Sequence, residues 1–265
     1  MKSKKVLSIL LICMFFLLSS QVASAKTMLT EDEWDQRREY INQNIKELGG
    51  QGQEAIESFL EANGIVKLSE SDSMNISESL ISPMSVAGSV DLYVNFWYDQ
   101  YAGKYVVQGG WEWQSLSYID NKGGAVDGIS LTMYQTNFKP VTGYVYSSYP
   151  AYIQVYDQNG WLYDNAGSAS SISNSGIAWT FQDAWQIGAY CGYSGIVWFY
   201  LDEKPSQSPM YIGINFTHTW SDATLSSFGI TWPTNNLPSL NMSFTSTPKS
   251  FTKTTQTTVY SWPRL

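Results

Sequence analysis

From Val90 onward the chain alternates apolar and mostly polar positions. Val90, Leu92, Val94, Phe96 and Tyr98 are interleaved with Asp91, Tyr93, Asn95, Trp97 and Asp99. A period of two is the mark of a β-strand with one apolar face. Similar stretches predict strands at 104–114, 126–134, 141–147, 151–157, 160–164, 176–182, 194–201, 209–220, 227–232, 239–246 and 254–262. The run Ile196-Val197-Trp198-Phe199-Tyr200-Leu201 is apolar at every position, which predicts a central strand covered on both faces. Asn159-Gly160 between two alternating runs predicts a hairpin turn. Many short strands with turns and no helices between them point to an antiparallel β-sandwich or jelly roll. No fixed-period repeat is visible, which argues against a propeller or a solenoid.

The pattern before this region is helical. Leu29-Thr30-Glu31-Asp32-Glu33-Trp34 predicts a helix start: Thr30 caps, Glu33 completes a capping box, and Leu29 staples onto Trp34. Trp34, Ile41, Ile45 and Leu48 follow at helical spacing until Gly49-Gly50. A second helix places Ala55, Ile56, Phe59 and Leu60 on one face, with Glu54, Glu57 and Glu61 mostly opposite, and stops at Asn63-Gly64. Residues 26–66 therefore read as an acidic αα-hairpin. Residues 67–87 are rich in serine and carry Glu70, Asp72, Glu78 and Pro83, the composition of an extended linker. The aromatic β domain then occupies 88–265.

The first 25 residues read as an address rather than as structure. Lys2, Lys4 and Lys5 precede an apolar run from Val6 to Leu18, and Ala23-Ser24-Ala25 offers small side chains for cleavage between Ala25 and Lys26. The run is short for a bilayer span, which needs about 20 residues. Cys13 follows Ile12, a poor context for lipidation. A secreted, extracellular protein with no transmembrane anchor is the expectation. Removing the three lysines takes the net charge from −8 to −11. That balance disfavours nucleic acid as a partner, because phosphate binding needs a basic patch. Cleavage also removes Cys13, leaving Cys191 as the single cysteine of the mature chain, so an internal disulfide is excluded. Tyr190, Gly192 and Tyr193 around it predict a buried, unreactive thiol. A secreted chain so poor in disulfide potential suits a bacterial exporter.

Charge and aromatics divide the chain. Residues 26–85 hold twelve acids, five bases and only Trp34 and Tyr40 among their Trp and Tyr. The other ten tryptophans and seventeen tyrosines lie in 86–265, which is nearly neutral, with eleven acids and seven bases. So the helical part is solvated and the β part is built on rings.

Candidate chemistry is sparse. His218 is the sole histidine and shares the apolar face of Ile212, Ile214 and Phe216, which predicts a satisfied core imidazole. One histidine and one mature cysteine cannot build a Cys–His metal cluster, and no metal or cofactor is called for. Asp120 to Asp127 and Asp157 to Gly160 are rich in oxygen ligands but complete no calcium loop and read as turns. Glu112 and Glu203 are the only glutamates of the β region. Trp111-Glu112-Trp113 points Glu112 away from two indoles, and with a second carboxylate it would suit a glycoside hydrolase. Trp97, Tyr152 and Tyr156 fall on the polar-alternate faces of their strands, where rings stack on sugars or anchor a protein.

Three functions are compatible with these residues. The first is a secreted non-catalytic binding protein that engages cell-surface polysaccharide or protein through exposed aromatics. The second is a secreted carbohydrate-active enzyme using Glu112. The third is a secreted toxin or bacteriocin-like factor whose N-terminal segment is a pro-region. Enzyme activity is the weaker expectation, and the sequence leaves the oligomeric state open.

Overall fold

A computed structural model describes residues 29–69, 74–75, 79–80, 89–116, 126–135, 137, 139–141, 151–164, 169, 171–173, 175–186, 188–201, 210–219, 224–234, 236–246 and 250–259. The cleavage site at Ala25 and Lys26, and Glu203, lie outside these residues. The protein is mainly β, with antiparallel sheets and two helices at the N-terminal end.

Helix α1 (Glu31–Leu48) starts as its sequence dictates. Thr30 Oγ1 accepts from the Glu33 backbone N–H, and the Thr30 N–H donates to the Glu33 carboxylate at 2.8 Å. Glu31, Asp32 and Glu33 sit at the positive end of the helix dipole. A 3-10 turn (Gly49–Gln51) and Gly52, at φ +96°, reverse the chain into α2 (Gln53–Ala62). Gly64, at φ +73°, releases it into β1 (Ile65–Lys67).

β2 (Met74–Asn75) and β3 (Ser79–Leu80) are short pieces of the serine-rich stretch. They are followed by β4 (Val90–Asp99), β5 (Lys104–Trp113), β6 (Val126–Gln135), β7 (Tyr152–Asp157), β8 (Leu162–Asp164), β9 (Ser171–Ser173), β10 (Gly176–Gln182) and β11 (Ala184–Gln186). The chain ends in β12 (Ala189–Leu201), β13 (Met210–Thr219), β14 (Leu225–Thr231), β15 (Ser239–Phe244) and β16 (Ser250–Val259). One sheet runs β1-β4-β5-β12-β7-β8, with β11 also on β12; the other runs β2-β16-β13-β6-β10-β9, with β3 also on β16. The stretch expected as a linker thus lays two short strands along β16.

The two sheets face each other across one apolar core. Val94, Phe96, Val107, Trp111, Val197 and Phe199 project from the first sheet, and Ile129, Leu131, Trp179, Ile212, Ile214 and Phe216 from the second. Trp111 stacks on Phe181 with ring centres 4.5 Å apart. The period-two reading of β4 is what places Val94, Phe96 and Tyr98 on this side.

Each sheet is also covered on its outer face. On the second sheet, a Cβ added to Gly128 would lie 2.6 Å from Met242 Sδ and 2.8 Å from Leu240. The β14–β15 hairpin therefore packs directly on that backbone. On the first sheet the αα-hairpin lies flat. Trp34, Ile41, Ile45, Ile56 and Leu60 join Trp97, Val106, Ile196, Trp198 and Tyr200 in a second apolar cluster. Ile196–Leu201 is accordingly covered on both faces, even-numbered residues under the helices and odd-numbered ones in the sandwich core.

Polar links fix the helices to the sheet. Arg37 Nε and Nη2 donate to the Asp99 carboxylate at 2.7 and 3.1 Å, and Asp99 is 1% exposed. Asn42 Oδ1 accepts from Trp198 Nε1 at 2.9 Å and from the Tyr200 hydroxyl at 2.7 Å. A bidentate guanidinium–carboxylate pair and a doubly used amide orient the hairpin, where apolar packing alone would let it slide.

Candidate functional site

The site grows out of the place where the αα-hairpin stops short of covering the first sheet. α1 ends above β7, and the next strand, β8, is reached through the Asn159-Gly160 turn. Asp157 Oδ1 accepts from the backbone N–H groups of Asn159 and Trp161, at 2.7 and 3.0 Å. Gly160 supplies the required positive φ of +79°. This turn lifts Trp161 to the surface, where it is 74% exposed.

Between α1, the 3-10 turn and the β7–β8 turn lies an open groove of about 810 Å³. Tyr152 and Trp198 line it as a parallel stack, 4.9 Å between ring centres and 11° between planes. Gln154 lines it beside them. It is 6% exposed, and its Oε1 has no hydrogen-bond partner. Gln43, Lys46, Glu39, Glu47, Asn159 and Trp161 complete the walls. Burial raises the Tyr152 phenol, while the Arg38 guanidinium, which donates to it at 3.2 Å, acts in the opposite direction.

The three aromatics expected on an open surface have different fates. Trp97 is corrected: it is fully buried beneath the helices, its Nε1 donates to Gln108 Oε1 at 2.7 Å, and it cannot meet a ligand. Tyr156 lines the groove but is 1% exposed, with its hydroxyl donating to the Lys46 carbonyl at 2.8 Å. Tyr152 remains accessible from the groove. The helical hairpin covers the face that alternation alone left open. The exposure of Trp161 is not legible in the sequence, because the Asn-Gly signal marks a turn and does not say which neighbour the turn exposes.

Glu112 is exposed and faces away from Trp111 and Trp113, which are in the core. It lines a smaller groove of about 370 Å³ with Tyr93, Ser194 and Glu54. Partial burial and the Asp91 carboxylate opposite it on β4 hold it above the ordinary carboxylate range. Cys191 is buried and free; burial, then Asp157, pushes its thiol up.

His218 is fully buried at the end of β13. Its Nδ1 lies 2.8 Å from Asp127 Oδ2 and 3.5 Å from Asp183 Oδ2. Asp127 Oδ1 also accepts from the Thr219 N–H at 2.9 Å, and the Tyr190 hydroxyl donates to Asp183 Oδ2. Burial and the neighbouring Asp127 push Asp183 up to about 8. Burial opposes charge on His218, yet the Asp127 carboxylate outweighs it and raises the imidazole. Asp127, read from the sequence as the end of an oxygen-rich turn, is instead 1% exposed within β6.

Among the described residues no helix is long and apolar enough to cross a membrane. No protein-family model matches the chain, and no curated protein matches it. Among solved structures it is similar to one described as a pore forming protein, at 8% identity over 72% of this chain and 91% of that one, with a TM-score of 0.33. Clostridium perfringens delta-toxin is 12% identical over 72% of this chain and 89% of its own, with a TM-score of 0.31. The Clostridium perfringens NetB toxin in its membrane-inserted form is 8% identical over 72% and 96%, with a TM-score of 0.30.

Proposed function

We propose that this chain is a secreted, non-catalytic binding protein that takes a neutral cell-surface glycan into the groove beside Trp161. One observation carries the reading: the groove joins the partly exposed Tyr152 ring, backed by the buried Trp198, to the exposed Trp161 indole. Sugar rings present flat C–H faces that stack on indole and phenol. The volume of about 810 Å³ lies in the range of small-molecule sites and suits a short oligosaccharide. The chain's net charge of −8 disfavours anionic polymers. Two carboxylates, Glu39 and Glu47, line the groove on α1.

Binding of the full chain to insoluble cell-wall polysaccharides, and tryptophan fluorescence with soluble neutral oligosaccharides, test this. Trp161→Ala should weaken capture by roughly tenfold or more while leaving the melting temperature unchanged, because the ring is mostly in solvent. Capture of no neutral glycan, or equal capture by the variant, overturns the reading.

A second reading, a secreted toxin-like factor with an N-terminal pro-region, is favoured by a separate observation. The αα-hairpin covers Trp97, Ile196, Trp198 and Tyr200, a strip of apolar and aromatic side chains that its removal would bare. Dye release from lipid vesicles that requires prior proteolysis of the N-terminal segment would support it; vesicles that stay sealed after that cleavage remove it.

A further inference from the structure

We propose that Asp127, His218 and Asp183 form a binding site for one divalent transition cation of the zinc class, which ties the two sheets of the sandwich together. The site is separate from the glycan groove and does not depend on it.

The donor set is the first argument. One oxygen from each carboxylate and an imidazole nitrogen lie within 4.8 Å of one another. Donors bound to a tetrahedral zinc at 2.0–2.1 Å sit about 3.3 Å apart. The Nδ1–Oδ2 separation to Asp183 is 3.5 Å, near that value, and the 2.8 Å hydrogen bond to Asp127 would open by about half an ångström to admit the ion. A nitrogen donor with two carboxylates suits zinc, whereas calcium and magnesium take oxygen ligands in larger number.

Burial is the second argument. All three side chains are at most 1% exposed, and two carboxylates share one imidazole. Among the described residues no lysine or arginine pairs with either carboxylate. Asp183 Oδ1 is buried and has no hydrogen-bond partner, an unsatisfied acceptor on one of the three donor residues. A dication would balance two carboxylates and take the neutral imidazole as a third donor. Tyr190 holds Asp183 through Oδ2 and so acts as a positioning residue.

Topology gives the cation its work. Asp127 is on β6 and His218 on β13, both in the second sheet. Asp183 lies between β10 of that sheet and β11 of the first. Tyr190 is on β12 of the first sheet. A bound ion would join the sheets at one end of the sandwich, the role a disulfide takes in many secreted domains. The single cysteine here beyond residue 25 cannot supply one.

The experiment uses the full chain stripped by a chelator and dialysed. Titration with Zn²⁺ should show one ion per chain by elemental analysis and calorimetry, and should raise the melting temperature. Ca²⁺ at the same concentration should do neither. Co²⁺ should give visible d–d absorption of a low-coordinate nitrogen–oxygen site, a readout that needs no variant. Asp183→Asn, which keeps the side chain's shape, should weaken Zn²⁺ binding by roughly a hundredfold or more. A stripped chain that melts cooperatively, takes up no Zn²⁺ and gives no Co²⁺ spectrum overturns the proposal. Unchanged Zn²⁺ affinity in Asp183→Asn overturns it as well, since the ion would then sit elsewhere.

Discussion

Gly50 of the 3-10 turn and Gly160 of the β7–β8 turn meet backbone against backbone. A Cβ on Gly50 would lie 1.9 Å from the Gly160 carbonyl oxygen, and one on Gly160 would lie 2.3 Å from that of Gly50. Neither atom can retreat as a flexible side chain would. Both glycines line the groove beside Trp161. Gly50→Ala should therefore destabilise the protein by about 1–3 kcal/mol, the range for forcing a methyl group into a packed site. Gly52, whose added Cβ meets nothing within 4 Å, is the control for backbone strain alone. Chemical denaturation of both variants checks the difference, and glycan capture should fall for Gly50→Ala only.

Trp97 lies on the face of the first sheet that the helices cover. Its ring is wholly buried, its indole N–H donates to Gln108, and the Lys67 ammonium lies 5.6 Å from its ring centre. Trp97→Ala should cost about 3–5 kcal/mol. The melting temperature should fall sharply, whereas Trp161→Ala should leave it unmoved.

These two tryptophans show what the sequence can and cannot express. The alternation of β4 is legible because a half-buried strand must put every second side chain in the core, and Val94, Phe96 and Tyr98 do so. The capping box at Thr30 and the two-faced run Ile196–Leu201 are legible for the same kind of local reason. What covers the other face of a strand is not local. Asn42 meets Trp198 and Tyr200 across more than 150 residues of chain, so Trp97 and Tyr156 look free until the helices are docked. The Asp127–Asp183–His218 cluster is hidden in the same way. Its members are 35 to 91 positions apart and only the sheet order brings them together. A sole histidine on an apolar face was the one local trace of it.

The docking of α2 should depend on pH through Glu57. Burial opposes ionisation there. Hydrogen bonds from Lys67 at 2.8 Å, Gln53 and Asn95, with the charge of Lys67, outweigh it and hold the carboxyl below its ordinary value. A carboxyl whose pKa is lower folded than unfolded stabilises the fold above its unfolded pKa, and that contribution is lost as the pH falls through the folded value. Glu57→Gln should thus be less stable than the parent at neutral pH. The difference should shrink as the pH is lowered from about 6 to about 3. Paired urea titrations across that range measure it; a difference that stays constant would show that Glu57 acts only through its neutral hydrogen bonds.

Removal of the αα-hairpin tests how the two apolar clusters depend on each other. Among the described residues the sandwich core draws its side chains from the strands and adjoining loops and none from the helices, whereas the outer cluster is shared between α1, α2 and the first sheet. Each of Trp34, Ile41, Ile45, Ile56 and Leu60 loses about 1.5–3 kcal/mol of burial if undocked, so the helices have little stability of their own. A chain beginning at Ile65 keeps β1 and should retain its β circular dichroism and a cooperative, lower melting transition. It should also bind an environment-sensitive dye and self-associate, because Trp97, Ile196, Trp198 and Tyr200 then face water. Arg37→Ala in the full chain should move part of the way toward this state. It leaves Asp99 buried without its bidentate partner, a loss of about 3 kcal/mol, and frees the Asn63 carbonyl that Arg37 Nη2 also holds at 2.7 Å. A truncated chain that shows no cooperative transition would mean that the two clusters form a single core. One that melts as the parent does, without dye binding, would mean that the strip closes over by itself, and the toxin-like reading would lose the observation that favours it.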